Sequence, residues 1–185
     1  MILLLAPPLS RLNAPTLTTL SSAIAANVAR VRAATEARIM AVVKADGYGH
    51  GAVAVARAAI GAGAQWLGVT DAADATKLRE AGFEVPILAW LNPSGVDPAQ
   101  VAADRVDVAV GSVDELRQLA GDAVATVRVH LNLDTGMSRG GCPIEDWAEL
   151  LRVARAARGR VEVVGVMGHL PRADEADPRA NAAAV

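Results

Sequence analysis

The chain of 185 residues has 18 Lys and Arg against 20 Asp and Glu, a formal net charge of −2, and 52% hydrophobic but only 3% aromatic residues. That length and apolar content suffice for one domain with a sizeable core, and the near balance of charge gives no electrostatic reason to expect nucleic acid or an anionic membrane surface. A single cysteine, Cys142, excludes an intrachain disulfide and a thiolate-rich metal site, and the short apolar opening before Pro7-Pro8 lacks the basic start and the length of a signal segment, so no metal, no membrane, a small-molecule partner and a cytoplasmic setting are expected.

In chain order, Pro15 and Thr16 precede apolar positions at Leu17, Leu20, Ile24, Val28 and Val31, a spacing that predicts a helix ending near Thr35. Short runs rich in β-branched residues then recur at Arg38 to Lys44, Trp66 to Thr70, Val85 to Trp90, Val106 to Val110, Ala125 to Leu133 and Val161 to Met167. Between them lie stretches of the length a crossover helix needs, several with start signals. Asp71 stands before Ala72-Ala73, Ser112-Val113-Asp114-Glu115 forms a capping box, and Pro143 leads Ile144-Glu145-Asp146. The closing residues, Arg179 to Val185, read as helix-like.

Apolar strands alternating with helices define an α/β chain with a parallel sheet covered by helices. A doubly wound dinucleotide fold would need G-x-G-x-x-G after the first strand and an acidic residue closing the second. Gly47-Tyr48-Gly49-His50-Gly51 lacks the full spacing, and Val69-Thr70-Asp71 closes the second run in a helix cap. The expectation is therefore a (β/α)8 TIM-type barrel. Such barrels have eight strands and typically about 250 residues, so the 1–185 chain is expected to be incomplete, with about six of the β/α units.

Lysine occurs only at Lys44 and Lys77, every other basic residue being arginine. A guanidinium does not deprotonate in proteins, so only lysine can become the neutral amine that attacks a carbonyl. A lysine at a strand end ordinarily lays its stem on apolar surface and keeps its ammonium in water. Lys44, however, has the chain's only tyrosine, Tyr48, four residues on, within a glycine-spaced turn that enters the alanine-rich run from Ala52 to Ala62. A strand, a Gly-rich turn and a helix start are expected to offer free backbone N–H groups to an anion.

In such a barrel the chemistry sits at the carboxyl ends of the strands. Lys44 and Tyr48, Trp90, Asp134 to Arg139 and His169 all fall there. The stretch from His130 to Gly141 reads either as a solvated loop capped by Asp134 and Thr135, or as a mount that aims Arg139 at a carboxylate or phenolate. His169 taken alone is a packed or surface histidine; beside an aromatic cofactor its flat ring could stack on the cofactor face.

Three segments carry a resemblance. Val42-Val43-Lys44-Ala45-Asp46-Gly47-Tyr48-Gly49-His50-Gly51 resembles the pyridoxal-phosphate attachment motif of alanine racemases, Leu133-Asp134-Thr135-Gly136-Met137-Ser138-Arg139 resembles a second motif of these enzymes, and Val166 to Glu175 a third. The resemblance implies a pyridoxal 5'-phosphate enzyme that interconverts L- and D-alanine for peptidoglycan, with a barrel domain, a following β-rich domain that this chain lacks, and a homodimer. It implies Lys44 as the cofactor-bearing lysine and as acid or base on one face of the substrate. Tyr48 would bind the phosphate, Arg139 the cofactor's phenolic oxygen and the substrate carboxylate, His169 the pyridine ring, and Trp90 would line the pocket.

Two places depart from the family pattern. Asn132 stands where many members carry a carbamylated lysine, and Pro171-Arg172 is bulkier than the small residues usual after the histidine segment. The later phosphate loops, the arginine facing the pyridine nitrogen and the opposite-face tyrosine belong to parts this chain lacks, so the chain alone is expected to be inactive. The alternatives are a one-domain pyridoxal-phosphate homeostasis protein, or another enzyme of the same barrel class such as a serine racemase or an amino-acid decarboxylase.

Overall fold

A computed structural model describes residues 18–93, 95–173, 175 and 177–181. Helix α1 (Ser21–Ala34) begins later than the Pro15 signal predicts; Pro15, Thr16 and Leu17 lie outside the described residues. It packs on the outside of the molecule and buries none of its residues fully. Thr19 Oγ1 ties its approach to the His50 carbonyl at 3.3 Å.

Six parallel strands follow: β1 (Met40–Val42), β2 (Trp66–Val69), β3 (Ile87–Ala89), β4 (Val106–Val110), β5 (Val127–Asn132) and β6 (Val161–Met167). Each is hydrogen-bonded to the next in strict order, β1 to β6. A doubly wound sheet reverses its order at a switch point, whereas an unbroken order is the wall of a singly wound barrel. The strands are shorter than the sequence runs. Arg38, Ile39, Val85, Trp90, Ala125, Thr126 and Leu133 stand outside them, because an apolar run continues through the turn that enters or leaves the sheet.

After the single turn α2 (Lys44–Tyr48), the crossover helices are α3 (Ala52–Gly61), α4 (Ala72–Glu80), α5 (Pro98–Ala103), α6 (Val113–Asp122) and α7 (Trp147–Ala156). Their starts follow the side-chain chemistry. Asp71 Oδ1 accepts the Asp74 N–H at 3.0 Å, and Asp97 Oδ1 accepts that of Ala99 at 2.9 Å ahead of Pro98. Ser112 Oγ accepts from Glu115 N at 3.1 Å while Glu115 Oε2 reaches back to Gly111 N at 2.7 Å. Burial raises the Glu115 pKa against those backbone bonds. Of the stretch Arg179 to Val185 that reads as helix-like, the described part lies in a 3-10 turn, Pro178–Asn181, and 182–185 lie outside the described residues.

The core lies between the strands and the helices. Leu67, Ile87, Val108, Val129 and Leu131 from the sheet meet Leu78, Val101, Leu116 and Leu150 from the helices, all nearly inaccessible. Each such side chain contributes roughly 1.5–3 kcal/mol. Exposed pairs such as Arg117–Glu149 contribute about 0–1 kcal/mol, so the apolar layer decides the fold.

Strand β5 alternates: Val127, Val129 and Leu131 are buried under helices, while Arg128, His130 and Asn132 share the opposite, inner face. There Asp107, 2% exposed, accepts hydrogen bonds from Arg128 Nε at 2.7 Å and meets His130 Nε2 at 3.0 Å. Burial alone would raise the Asp107 pKa; the bonds from His130 and Arg128 outweigh it and hold the carboxyl below its usual range. Trp66 stacks edge-on against His130 at 5.7 Å.

At the amino-terminal end of the sheet, Arg79 acts as a staple. Its guanidinium donates to the carbonyls of Phe83 and Val85 at 2.6 and 2.7 Å and to those of Asp104 and Arg105 at 2.7 and 2.9 Å. One side chain thus joins the loops entering β3 and β4.

Candidate active site

Lys44 leaves the end of β1 and opens a turn of unusual hand. Ala45, Asp46, Gly47 and Tyr48 all have positive φ, between 51° and 63°. The turn is closed by hydrogen bonds from Gly47 N to Val43 O at 2.9 Å and from Gly49 N to Ala45 O at 3.0 Å. For a non-glycine residue this conformation costs roughly 1–2 kcal/mol, strain of the kind that collects at functional sites. The left-handed turn carries the Tyr48 ring back toward its start, with Lys44 Nζ 5.8 Å from the ring centre.

The turn does not form the open anion cradle expected of it. Asp46 Oδ1 accepts the Ala52 N–H at 2.8 Å, Asp46 O accepts that of Gly51 at 2.8 Å, and Gly47 O accepts that of His50 at 3.1 Å. An internal carboxylate already occupies the start of α3. What remains on offer there are the half-buried Lys44 and the Tyr48 side chain, 61% exposed.

The loop after β5 is built around Asp134, whose Oδ1 accepts the N–H groups of Gly136 at 2.9 Å and Ser138 at 3.0 Å. These bonds hold its carboxyl below the usual range, that of Ser138 foremost. The loop's return is pinned by Cys142, whose N–H donates to Asn132 O at 2.7 Å and whose carbonyl accepts from Asp134 N at 2.9 Å. Gly141 is required at that crossing: a Cβ there would lie 2.7 Å from Asp134 N. The turn capped by Asp134 is present, and Arg139 follows Ser138 directly on it.

Thr135 couples this loop to the end of β6. Its Oγ1 donates to His169 O at 2.7 Å and accepts from His169 N at 3.0 Å. Gly168 makes room for that contact, because a Cβ at 168 would fall 2.6 Å from Thr135 Cγ2. The result is a cleft lined by Trp90, Asn132, Asp134, Met137, Arg139 and His169. Lys44 is not among the lining residues, but its charge acts on His169. Burial first, then the charges of Arg139 and Lys44, lower the His169 pKa, so the imidazole is biased to its neutral form. Among the described residues neither Lys44 nor Arg139 has an ion-pair partner.

Residues 21–184 match the family model "Alanine racemase, N-terminal domain". The chain belongs to the alanine racemase family. It is 48% identical over 140 residues to the alanine racemase of Salinispora tropica, a match that covers 73% of this chain and 38% of that protein. The alanine racemase of Streptomyces coelicolor A3(2) superposes with a TM-score of 0.83 at 39% identity, over 89% of this chain and 46% of that one. The histidine racemase of Leuconostoc mesenteroides subsp. sake superposes with a TM-score of 0.78 at 28% identity, over 89% and 45%. The chain thus spans less than half the length of the relatives it matches. The alanine racemase family is pyridoxal-phosphate dependent.

The topology brings Lys44, Tyr48, Trp90, Arg139 and His169 to one end of the sheet, the end where their strands finish. Sequence reasoning missed Thr135 as the clamp on His169 and missed the group that Arg128 and His130 form around the buried Asp107 beneath the cleft. The alternation of Arg128, His130 and Asn132 along β5 was the available signal for the latter.

Proposed function

We propose that this chain is the cofactor-bearing barrel part of an alanine racemase that interconverts L- and D-alanine and so serves D-alanine supply for peptidoglycan. In this reading 1–185 form an amino-terminal barrel segment of a longer, homodimeric, cytoplasmic protein. Among the described residues no helix is long and apolar enough to cross a membrane. The observation that carries the reading is that the strand order brings Lys44, Arg139 and His169 to one end of the sheet, where burial first and then the two cations lower the histidine's pKa.

The donor set fits pyridoxal phosphate. Lys44 supplies the amine that would attach its aldehyde, Tyr48 a phenol for the phosphate, Arg139 a planar cation for the phenolic oxygen, and Trp90 and His169 flat surfaces for the ring. Bound there, pyridoxal phosphate supplies the sink for negative charge that builds on the substrate α-carbon.

The protein's share is orientation and proton control. Lys44 Nζ takes or supplies the α-proton on one face of the substrate, inversion needing a second acid–base group on the opposite face, and its amine can do this where a guanidinium cannot. Arg139 receives the substrate carboxylate in a two-point grip and holds the α-carbon toward Lys44. The neutral His169 packs without adding a third cation, so the field at the site stays centred on Lys44 and Arg139.

A second reading keeps the chemistry and changes the amino acid, because the same barrel part occurs in a histidine racemase. Full-length protein incubated with pyridoxal phosphate and each of L-alanine, L-serine and L-histidine, with enantiomers resolved by chromatography, decides between them. Racemisation of alanine fastest supports the proposal. No turnover of alanine overturns it.

A further inference from the structure

Beneath the cleft, β5 and β6 change register by one residue. Val129 pairs with Val163, but His130 pairs with Gly165, which leaves Val164 as an extra residue in β6. The shift has a large effect on facing. Glu162 lies on the inner side near Arg128, and with strict alternation Val164 and Val166 would follow it inward. Instead Gly165 lies against the His130 ring and Met167 reaches the cleft.

His130 supplies the reason. Its Nε2 is engaged by Asp107 at 3.0 Å and Trp66 packs against its ring, so the imidazole is held from two sides. Its Nδ1 edge then fills the space opposite on β6, where a Cβ on residue 165 would lie 2.5 Å from Nδ1. Glycine alone fits there, and an in-register Val164 would be bulkier still. Asp107 keeps Arg128 as a partner whether or not the histidine is present, so charge balance does not explain His130.

We propose that His130, clamped by Asp107, is a positioning residue that sets the register of β6 and thereby places Met167 opposite Asn132 and delivers His169 to Thr135. The side chain is not among those lining the cleft. It acts through the strand whose end carries His169. The cofactor part of the consequence rests on the pyridoxal-phosphate reading of the cleft; the register part does not.

The test uses three variants of the full-length protein: His130→Ala, Gly165→Ala, and the two combined. Crystal structures report the β5–β6 pairing, and absorbance titration of the folded protein reports the Kd for pyridoxal phosphate. His130→Ala is expected to bring Val166 opposite Asn132 and to raise the Kd at least about tenfold. Gly165→Ala is expected to bind as poorly or to fail to fold, and the double variant to fold and bind better than Gly165→Ala alone, since the space is then shared by two methyl groups. Met167 remaining opposite Asn132 in His130→Ala, or a double variant no better than Gly165→Ala, overturns the proposal. If the unaltered protein binds no pyridoxal phosphate, the cofactor reading fails separately and the pairing in the crystal still decides the role of His130.

Discussion

Thr135 holds His169 by its backbone alone, giving one hydrogen bond to the carbonyl at 2.7 Å and taking one from the N–H at 3.0 Å. The imidazole is left free while its position is fixed, and the loop bearing Arg139 is bound to the strand end bearing the histidine.

Thr135→Val keeps the shape and removes both bonds. The expected loss is about 1–3 kcal/mol of stability, at about 0.5–1.5 kcal/mol for each bond, with a several-fold weaker Kd for pyridoxal phosphate in the full-length protein. Gly168→Ala should be worse, because its Cβ would strike the Thr135 methyl at 2.6 Å. Denaturant melts and cofactor titration measure both. Equal binding by all three proteins would show the clamp to be irrelevant to the site.

Lys44 should carry the cofactor. Borohydride reduction of the loaded full-length protein, followed by peptide mass mapping, is expected to place the pyridoxyl group on Lys44, and Lys44→Arg to abolish racemisation. Label on Lys77, which is paired with Asp74 at 2.8 Å on the outside of α4, would refute the assignment.

Arg139→Ala should lower kcat by about 10²–10³, the usual scale for losing a charge that stabilises the transition state. A raised KM with unchanged kcat would mean that the guanidinium binds ground state and transition state alike.

The lowered His169 pKa fixes a pH dependence. The unfolded chain takes up the imidazole proton near the ordinary pKa of about 6.5, before the native state does. Stability is therefore expected to fall as pH drops below that value and to level off once the native imidazole is also protonated. His169→Gln should flatten this part of the profile while leaving the loss at lower pH that comes from Asp107 and Asp134, whose depressed carboxyls stabilise the fold above their unfolded pKa and cease to do so once protonated in the native state. An unchanged slope between pH 5 and 6.5 in urea melts would contradict this.

In the described sheet β1 and β6 each have one neighbour, and Val42, Val163 and Val166 are 38%, 44% and 62% exposed. A polypeptide limited to these 185 residues is expected to associate through such edges, as sedimentation at rising concentration would reveal. A concentration-independent monomer would count against it.

The parallel sheet, its helix caps and the strand ends bearing Lys44, Trp90, Arg139 and His169 were legible in the sequence because each has a local cause: β-branched runs, Asp71 and Ser112 as caps, and one of two lysines beside the lone tyrosine. The left-handed turn was not, since glycine is the usual sign of positive φ and Ala45, Asp46 and Tyr48 adopt it as well. Nor was the β5–β6 shift. One extra valine among Val161 to Met167 leaves no mark in composition, and the histidine that requires it lies on another strand.

The Arg79 staple has a consequence for how this molecule can change. It secures the entrances of β3 and β4 to backbone carbonyls, which every residue type supplies equally, at the end of the sheet remote from Lys44 and Arg139. The side chains of those entry loops can drift without loosening the grip. Substitutions that reshape the cleft at the other end leave this anchorage untouched, so one half of the molecule can explore new amino acids while the other remains mechanically conservative.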